Sequence, residues 1–354
     1  MEEPIRYGII GTGMMGCEHI LNLSLLPDAR VTAIADANET SRSWGRSAAG
    51  DDVEVYEDYR DLLRSAPIDA VVVATPNFTH FDVLQEVFRT HKHVLVEKPL
   101  CTEVEQCRRV VESAAKHPGI VWVGMEYRYM QSVARLIDEV HAGVVGRLWM
   151  LAIREHRFPF LPKVGDWNRF ARNTGGTLVE KCCHFFDLMS LITRQRPTRV
   201  YASGAQNVNH LDESYGGEVP DIIDNAYVIV DFDGGTRALL DLCMFAENST
   251  NEVEMAATGE SGKIEVFIPA HSLVLTHRDG SEPTRLDFKL DPRLRTAGAH
   301  HGSTYFEHRA FLDAIRRGGK PAVSAADGAL AVAVGAAAEQ SIRERRPVDV
   351  ARWE

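Results

Sequence analysis

The chain has 354 residues, of which 45% are hydrophobic and 25% are charged. This composition is typical of a folded globular protein and excludes a disordered chain, and the length predicts two domains. The 50 acidic residues outnumber the 39 lysines and arginines, so the net charge is −11. That is the wrong sign for a protein that neutralises nucleic-acid phosphates.

Neither the N-terminal sequence nor any internal segment has the pattern of an exported or membrane-spanning protein. Residues 1–4 are acidic where a signal peptide would be basic, and the longest weakly apolar run, residues 329–338, is shorter than the ~20 residues that cross a bilayer. The six cysteines include no repeated Cys-x-x-Cys pair, so we predict neither a disulfide framework nor a metal site. We expect a cytoplasmic protein that binds neither membranes nor nucleic acid.

The first third of the chain alternates short apolar runs with helical patterns. Strands are predicted at residues 6–10, 31–35, 53–56, 70–74, 93–96 and 120–123. Strands that alternate with helices form a parallel sheet with helices on both faces. We therefore predict an α/β Rossmann domain, with a doubly wound parallel sheet, over residues 1–125.

The pattern changes after residue 125. A helix is predicted at residues 132–140, and two more, at residues 305–316 and 325–343, close the chain. Between them, turns join strands directly at residues 200–205, 226–232, 237–245, 252–259, 262–268, 272–276 and 285–290. Because no helices separate these strands, residues 126–354 are predicted to form an α+β domain with a large, mostly antiparallel, open-faced sheet. One side of that sheet is expected to face another subunit of a homodimer or homotetramer.

A glycine-rich turn between the first predicted strand and a helix at residues 17–25 carries the cofactor signal. Its residues are Gly11, Thr12, Gly13, Met14, Met15 and Gly16. Glycines at this spacing allow the backbone to approach a pyrophosphate, which the helix N-terminus attracts. Asp36, at the end of the second strand, can accept a hydrogen bond from a ribose hydroxyl and would repel a 2′-phosphate. NAD is therefore predicted as the cofactor, and NADP is less favoured.

Two more segments end predicted strands at the carboxyl edge of the parallel sheet, where doubly wound folds bind their ligands. Their candidate cofactor-binding residues are Thr75, Pro76, Asn77, Glu97 and Lys98. His80 follows the first segment as either a cofactor contact or a structural histidine. Desolvation beside a nicotinamide ring would lower the pKa of Lys98 and suit it to proton transfer, although on spacing alone a solvated surface lysine is the commoner case.

A second chemical signal follows a turn at Gly175 and Gly176. On a helix after this turn, Glu180 and His184 would lie four residues apart on one face. A carboxylate and an imidazole in one small volume suit proton transfer from an alcohol, whereas the alternative is a histidine that serves only the helix. Asp187 is a candidate to fix the tautomer of His184, or to make a structural hydrogen bond.

Taken in order, these motifs resemble those of the glucose-fructose oxidoreductase, inositol dehydrogenase and MocA family (Gfo/Idh/MocA) over essentially the whole chain. The motifs are the glycine-rich turn with Asp36, the run from Thr75 to His80, Glu97-Lys98-Pro99, and the run from Gly175 to Asp187. The resemblance implies NAD or NADP as cofactor and a ring hydroxyl of a sugar or inositol as substrate. It also implies that Lys98 is the active-site lysine and His184 the general acid/base, with Glu180 in place of the usual aspartate.

Six further residues are candidate substrate contacts. Two follow the sixth strand, where the resemblance implies a tyrosine or arginine close to the substrate, and one precedes the helix at residue 305. The other three lie in a loop whose aromatic and polar side chains suit a sugar ring. The six are Tyr127, Arg128, His156, Trp167, Asn168 and His300. Arg128 could equally brace an interface, and Trp167 could anchor its loop. No third ligand for a metal accompanies the adjacent histidines at positions 300 and 301.

The sequence therefore favours an oxidoreductase that transfers a hydride between a ring hydroxyl and nicotinamide. Lys98, Glu180 and His184 are its predicted catalytic residues: His184 would accept the hydroxyl proton, Lys98 would stabilise the alkoxide and Glu180 would position the hydroxyl. Two alternatives stay open, namely a redox-neutral, NAD-dependent enzyme that cleaves glycosides and an NAD-binding regulator without catalysis.

Overall fold

Residues 3–352 are described by the computed structural model, and their contacts divide them into two units. The first unit comprises the residues up to Tyr129 together with Leu290–Val332, and the second comprises Met130–Lys289 together with the residues from Ala333 onward. Both units are therefore discontinuous in sequence. The predicted boundary between two domains, at residues 125 and 126, stays a prediction.

A six-stranded parallel sheet forms the centre of the first unit. Its strands are β1 (Ile5–Ile10), β2 (Ala29–Ala35), β3 (Glu54–Tyr56), β4 (Ala70–Val73), β5 (His93–Glu97) and β6 (Val121–Gly124). The spatial order is β3-β2-β1-β4-β5-β6, and every neighbouring pair is parallel. This is the strand order of a dinucleotide-binding Rossmann fold, so the predicted α/β class of this region is confirmed.

Helices connect these strands. They are α1 (Met14–Ser24), α2 (Glu39–Ala49), α3 (Tyr59–Ser65), α4 (His80–Val87) and α5 (Val104–Ala114), and the later part of the chain adds α10 (Pro292–Thr296) and α11 (Ser303–Arg317). The Asn38 side chain caps α2 by accepting the amide hydrogen of Ser41 at 3.0 Å. All four residues of β4 are buried, because a central parallel strand has helices on both faces, and this explains its unbroken apolar run.

A nine-stranded sheet forms the centre of the second unit. Its strands are β7 (Leu148–His156), β8 (Pro197–Ala205), β9 (Asn225–Phe232), β10 (Arg237–Cys243), β11 (Val253–Gly259), β12 (Gly262–Ile268), β13 (Ser272–His277), β14 (Thr284–Asp287) and β15 (Val348–Asp349). The spatial order is β14-β13-β12-β11-β7-β10-β9-β8-β15. Only the β7–β10 pair among these neighbours is parallel. The prediction of a large, mostly antiparallel sheet is confirmed.

The central strand β7 is absent from the predicted strands. It lies between β11 and β10, and Ile153 is opposite Met255 on one side and Leu240 on the other. Both partners come much later in the chain, so no adjacent turn marks this strand in the sequence. Pattern reasoning detects hairpin neighbours well and a strand with distant partners poorly.

The two faces of the nine-stranded sheet have different surroundings. Helices α6 (Gln131–His141) and α9 (Cys183–Thr193) contact strands of the sheet, and residues such as Leu151 and Val228 are buried on one face. The opposite face exposes large apolar side chains, those of Met150, Tyr201, Tyr227, Ile229 and Leu239. The sheet is therefore open-faced, as predicted. Helices α7 (Ala171–Thr174) and α12 (Ala325–Glu344) complete the fold, and α12 contributes residues to both units.

The segment with Glu180 and His184 is two short helices rather than one. Helix α8 (Thr177–Glu180) ends at Glu180, and α9 begins after Lys181 and Cys182. The expectation of a single helix whose face carries both residues is therefore corrected. Glu180 closes one helix, and His184 lies in the first turn of the next.

Candidate active site

The glycine-rich turn joins β1 to α1, whose first residues are Met14 and Met15. Gly11 has a φ of +89°, and a Cβ there would lie 2.6 Å from the carbonyl oxygen that follows β4. A Cβ on Gly16 would collide with the carbonyl oxygen of Gly11, whereas a Cβ on Gly13 would meet nothing within 4 Å. The protein's own backbone thus requires two of the glycines, and the third leaves open space at the N-terminus of α1, where amide groups attract a pyrophosphate.

Asp36 follows β2 and faces the same turn. Its carboxylate accepts hydrogen bonds from the amides of Thr12 and Asn38, both at 2.8 Å, and each oxygen keeps a lone pair for a ribose hydroxyl. Arg42 donates to the carbonyl oxygens of Asp36 and Ala37, at 2.8 and 2.9 Å. Because that guanidinium is engaged and a carboxylate lies beside it, the site fits the ribose of NAD better than a 2′-phosphate.

The turn after β4 contains Thr75, Pro76 and Asn77. Asn77 is 6% exposed, and its Nδ2 atom has no hydrogen-bond partner within residues 3–352. A buried amide donor without a partner costs stability unless a bound molecule accepts its hydrogen bond. Together with the space at Gly13 and the carboxylate of Asp36, this donor makes the carboxyl edge of the sheet fit a dinucleotide, which supplies hydride chemistry when bound.

His80 connects two loops of the site. The ring is fully buried, with Nδ1 2.8 Å from the carbonyl oxygen of Pro99 and Nε2 3.0 Å from that of Thr75. Burial lowers the pKa of His80. These contacts match the structural alternative, so a direct contact of His80 with the cofactor stays a prediction without support from its neighbours.

Glu97 ends β5 and immediately precedes Lys98. The Glu97 carboxylate lies 2.9 Å from Nε2 of His19, and it accepts the amide hydrogen of Lys98 at 3.2 Å. Burial alone would raise the pKa of Glu97, but the hydrogen bond and charge of His19, with the charges of Lys98 and His300, lower it. Glu97 is therefore an ionised group that fixes the backbone at Lys98. The half-buried Lys98 side chain begins at the carboxyl edge of the sheet.

Two predicted substrate contacts lie in the 3₁₀ turn Glu126–Tyr129, directly after β6. Tyr127 is buried. The Arg128 guanidinium donates to the carbonyl oxygen of Ala322 at 2.8 Å and lies 3.8 Å from the Asp327 carboxylate. These contacts fit the bracing alternative for Arg128, and substrate binding by either residue stays a prediction.

His300 lies shortly before α11. Its Nδ1 atom is 2.7 Å from Oε1 of Glu18, and its Nε2 atom is 3.9 Å from Oε1 of Glu126. Burial would raise the pKa of Glu18, but His300, the amide of Ala299 and the Thr304 hydroxyl lower it. His300 is thus held between two carboxylates, and its substrate contact stays a prediction.

In the second unit, the backbone presents Glu180 and His184 in a dry environment. Both side chains are buried, as is Asp187. The amide of Leu178, at the start of α8, donates to the Glu339 carboxylate at 3.0 Å, which anchors the helix that ends at Glu180. Burial raises the pKa of Glu339. A buried carboxylate and imidazole are suited to proton transfer in a site that excludes water.

A buried ion pair follows Glu180. The Lys181 ammonium lies 2.9 Å from Oε1 of Glu155 on β7, and the Arg157 guanidinium lies 3.5 Å from the same oxygen. Glu155 is fully buried, and Lys181 is 7% exposed. This pair ties the link between α8 and α9 to the central strand of the sheet.

The remaining candidates make structural contacts. His156 faces away from Glu155, on the open side of the sheet, where its Nε2 lies 3.1 Å from Asp241. Asn168 is fully buried and donates to the carbonyl oxygen of Leu161 at 3.0 Å. Trp167 is half-buried in the same 3₁₀ segment. None of these contacts supports a substrate role for the three residues, which stays a prediction.

Sequence reasoning missed several buried polar residues in the two units. They are His19, Glu126, Glu155, Glu307 and His308. Glutamate is rarely buried and histidine is buried only in some positions, and the residue types around them do not signal burial. Only the position of Glu126 pointed to the site, because it comes shortly after a predicted strand at the carboxyl edge of the sheet.

Comparison with known proteins identifies the family. Residues 5–125 match the model described as the oxidoreductase family with an NAD-binding Rossmann fold, and residues 137–350 match that of the C-terminal α/β domain of the same family. The chain belongs to the Gfo/Idh/MocA oxidoreductase family. Its cofactor is NAD, in agreement with the phosphate turn and Asp36.

Similar proteins extend over the full length of this Gfo/Idh/MocA chain. Myo-inositol 2-dehydrogenase from Thermotoga maritima is 29% identical over 97% of this chain and 98% of that protein. Inositol 2-dehydrogenase 2 from Saccharopolyspora erythraea is 30% identical over 98% and 96%. The crystal structure of levoglucosan dehydrogenase in complex with NADH and levoglucosan has a TM-score of 0.87 at 20% identity, over 99% and 100%. At that identity, the last comparison shows the fold alone.

Residues 3–352 lack two other kinds of feature. Within residues 3–352, no helix combines the length and hydrophobicity that crossing a membrane requires. In the same residues, no group of three or more His, Cys, Asp or Glu side chains has the arrangement of a metal site.

Proposed function

We propose that the chain transfers a hydride between NAD and a ring hydroxyl of a sugar, sugar derivative or inositol. The observation that carries the proposal is the position of Lys98, at the carboxyl end of β5 beside a cradle that fits NAD. The 29% identity to a myo-inositol 2-dehydrogenase over 97% of the chain supports the substrate class.

In the proposed mechanism, His184 accepts the proton of the substrate hydroxyl during oxidation. Lys98 stabilises the negative charge that develops on the oxygen and forms a proton relay with His184, while Glu180 holds the hydroxyl in position. The bound NAD supplies the hydride acceptor. Burial of Glu180 and His184 supports these roles, because proton transfer in a site without bulk water is protected from competing exchange.

The test is to incubate the purified protein with NAD, and separately with NADP, and a panel of inositols, aldoses and anhydro-sugars. We expect reduced nicotinamide with NAD, and a loss of about 10²–10⁴ in kcat for His184→Ala and for Lys98→Met. The exposed His91→Ala is the matched control and should keep full activity. Unchanged turnover in His184→Ala would contradict its role. Glycoside cleavage without net NADH would favour the redox-neutral alternative, and NAD binding without any turnover the regulator.

We also propose that the open face of the nine-stranded sheet joins subunits of a homodimer or homotetramer. Tyr227 is 62% exposed and Ile229 is 45% exposed, and Ile229 lies between Leu239 and Tyr201 in the sheet register. A contiguous apolar patch of this kind is typical of an interface. Cytoplasmic location, inferred from sequence, stays part of this proposal.

Light scattering coupled to size-exclusion chromatography tests the interface. We expect the double variant Tyr227→Lys/Ile229→Lys to elute as a monomer, because two buried charges oppose association. Val208→Lys, at an exposed apolar position outside the strands, should keep the wild-type mass. A double variant with unchanged mass would contradict the proposal.

A further inference from the structure

The first unit contains a group of buried carboxylates and histidines that the predicted catalytic set leaves out. The group extends over Glu18, His19, Glu97, Glu126, His300, Glu307 and His308. Ionisable groups packed this closely either share protons or destabilise one another. Two chains of contacts lead through the group from the neighbourhood of Lys98, and they end differently.

The first chain ends inside the protein. Oε2 of Glu97 accepts the Lys98 amide hydrogen, Oε1 lies 2.9 Å from Nε2 of His19, and Nδ1 of His19 lies 2.8 Å from Nε2 of His308. Burial, with a smaller effect of His19, lowers the pKa of His308 well below its usual value. Within residues 3–352, Nδ1 of His308 has no hydrogen-bond partner. This chain can hold the backbone at Lys98, but it gives a proton no way to reach water.

The second chain reaches the surface. Glu126 comes two residues after Gly124, which pairs with Glu97 in the sheet, and a Cβ on Gly124 would lie 3.1 Å from Oε1 of Glu97. Oε1 of Glu126 is 3.9 Å from Nε2 of His300, whose Nδ1 is 2.7 Å from Glu18. The Glu126 side chain is 2% exposed and that of His300 is 26% exposed. The contacts thus lead from a buried carboxylate to solvent.

The charges around Glu126 favour exchange of a proton near neutral pH. Burial raises the pKa of Glu126 to about 7, against the charge of His300, while Glu97 raises it further and Lys98 lowers it. A carboxyl group in this range can both accept and release a proton, as a relay requires. The ionisable groups that act on Glu126 and on its neighbour Glu307 are Glu97, Lys98, Arg128 and His300.

We propose that Glu126 and His300 carry to solvent the proton that is released when the substrate hydroxyl is oxidised. Each oxidation of a secondary alcohol to a ketone removes one hydride and one proton, and the proton enters the Lys98–His184 relay. An N–H bond of the Lys98 ammonium breaks and an O–H bond forms on Glu126. His300 first releases a proton from Nε2 to water, and the proton on Glu126 then moves to the neutral Nε2, across a gap that one water or a rotation of the ring can close. Glu18 stabilises the imidazolium that this transfer restores.

This inference rests on the proposed function, and steady-state kinetics of the NAD-loaded protein test it. We expect His300→Ala to lower kcat about tenfold or more, with little change in KM for substrate or NAD, because proton release and not binding is impaired. Added imidazole should restore kcat in a concentration-dependent way. Glu126→Gln should lower kcat similarly, and the double variant should be no worse than either single variant, since both lie on one path.

The neighbouring His301→Asn is the matched control, because asparagine tolerates the positive φ of that residue. It should keep the wild-type kcat. A purely structural role of His300 would lower the melting temperature and raise KM without rescue by imidazole, and that result overturns the proposal. Turnover in the wild type with unchanged kcat in both variants overturns it as well. No turnover in the wild type on any polyol would instead count against the proposed function.

A measurement without substrate separates the two ideas further. In the NAD-free protein, infrared difference spectra should show a protonated carboxylic acid that is lost as pH rises through about 7 and that is missing in Glu126→Gln. The nuclear magnetic resonance titration of His300 should change in the same variant, because the two groups are coupled. If His300 titrates in the same way in the wild type and in Glu126→Gln, the two groups are not coupled. That result overturns the proton path, whatever the enzyme's substrate is.

Discussion

Glu155 in the second unit and Glu126 in the first are buried carboxylates that are stabilised by different means. In the second unit, the Glu155 carboxylate is paired with the Lys181 ammonium and the Arg157 guanidinium. In the first unit, burial raises the pKa of Glu126 to about 7 and that of Glu307 well above its usual value. These two carboxyl groups are tolerated in the interior because they can hold protons. Glu155 thus relies on cationic neighbours, whereas Glu126 and Glu307 can hold a proton instead.

The largest expected effect on stability comes from the loss of the Glu155–Lys181 ion pair. Glu155→Ala leaves the Lys181 ammonium buried without its counter-ion, so we expect unfolding to become easier by about 3–5 kcal/mol. Urea denaturation near pH 7 measures this difference. Replacement of both members, Glu155→Leu with Lys181→Met, should restore most of the stability, because an apolar pair needs no counter-ion. A single variant that loses less than ~1 kcal/mol would show that the pair is not the support inferred here.

A smaller effect should distinguish the proton-holding carboxyl group. The pKa of Glu126 is raised to about 7 in the folded protein and lies near 4.3 in an unfolded chain. The folded state therefore binds the proton more tightly, and this contribution to stability is present at low pH and declines as pH rises from about 4.5 to about 7. The difference amounts to about 3–4 kcal/mol. The free energy of unfolding, measured by urea denaturation across this pH range, should fall less steeply with pH in Glu126→Gln than in wild type. Parallel curves would refute the assignment.

The smallest effect concerns a carboxylate near the surface of the second unit. Glu213 lies 2.9 Å from Arg169 and 2.8 Å from His210. Partial burial would raise the pKa of Glu213, but hydrogen bonds from His210 and Tyr215 and nearby positive charge lower it to about 2. Its contribution is thus present above about pH 4.5 and lost as pH falls toward 2. Because a third of the side chain is exposed, Glu213→Gln should cost less than about 1 kcal/mol at pH 7 in urea denaturation.

The sequence predicted the parts of the molecule that depend on local pattern. The glycine-rich turn, Asp36 after β2 and Lys98 after β5 all lie at the expected ends of strands, because hydrophobic period and turn residues define these elements directly. The antiparallel strands β8 to β14 were detected for the same reason. Strand β7 was missed because its partners are distant in sequence.

The contacts of single side chains could not be predicted in the same way. His156 and Glu155 are adjacent, and which of them faces the helices depends on the register of β7, which no local signal defines. The break between Glu180 and His184 likewise follows no glycine or proline in the sequence. Glu126, Glu307 and His308 are buried only because residues from both ends of the first unit meet around them.

His80 has one N–H donor and two possible acceptors, which lie in different loops. The ring has a carbonyl oxygen at each nitrogen, from Thr75 on one side and Pro99 on the other. Because burial lowers its pKa, the imidazole is neutral at pH 7 and donates through one nitrogen at a time. The two tautomers therefore satisfy different loops, one next to Asn77 and the other next to Lys98. When His80 donates to the carbonyl oxygen of Thr75, the carbonyl oxygen of Pro99 receives no hydrogen bond from the ring. When it donates to Pro99, Thr75 receives none.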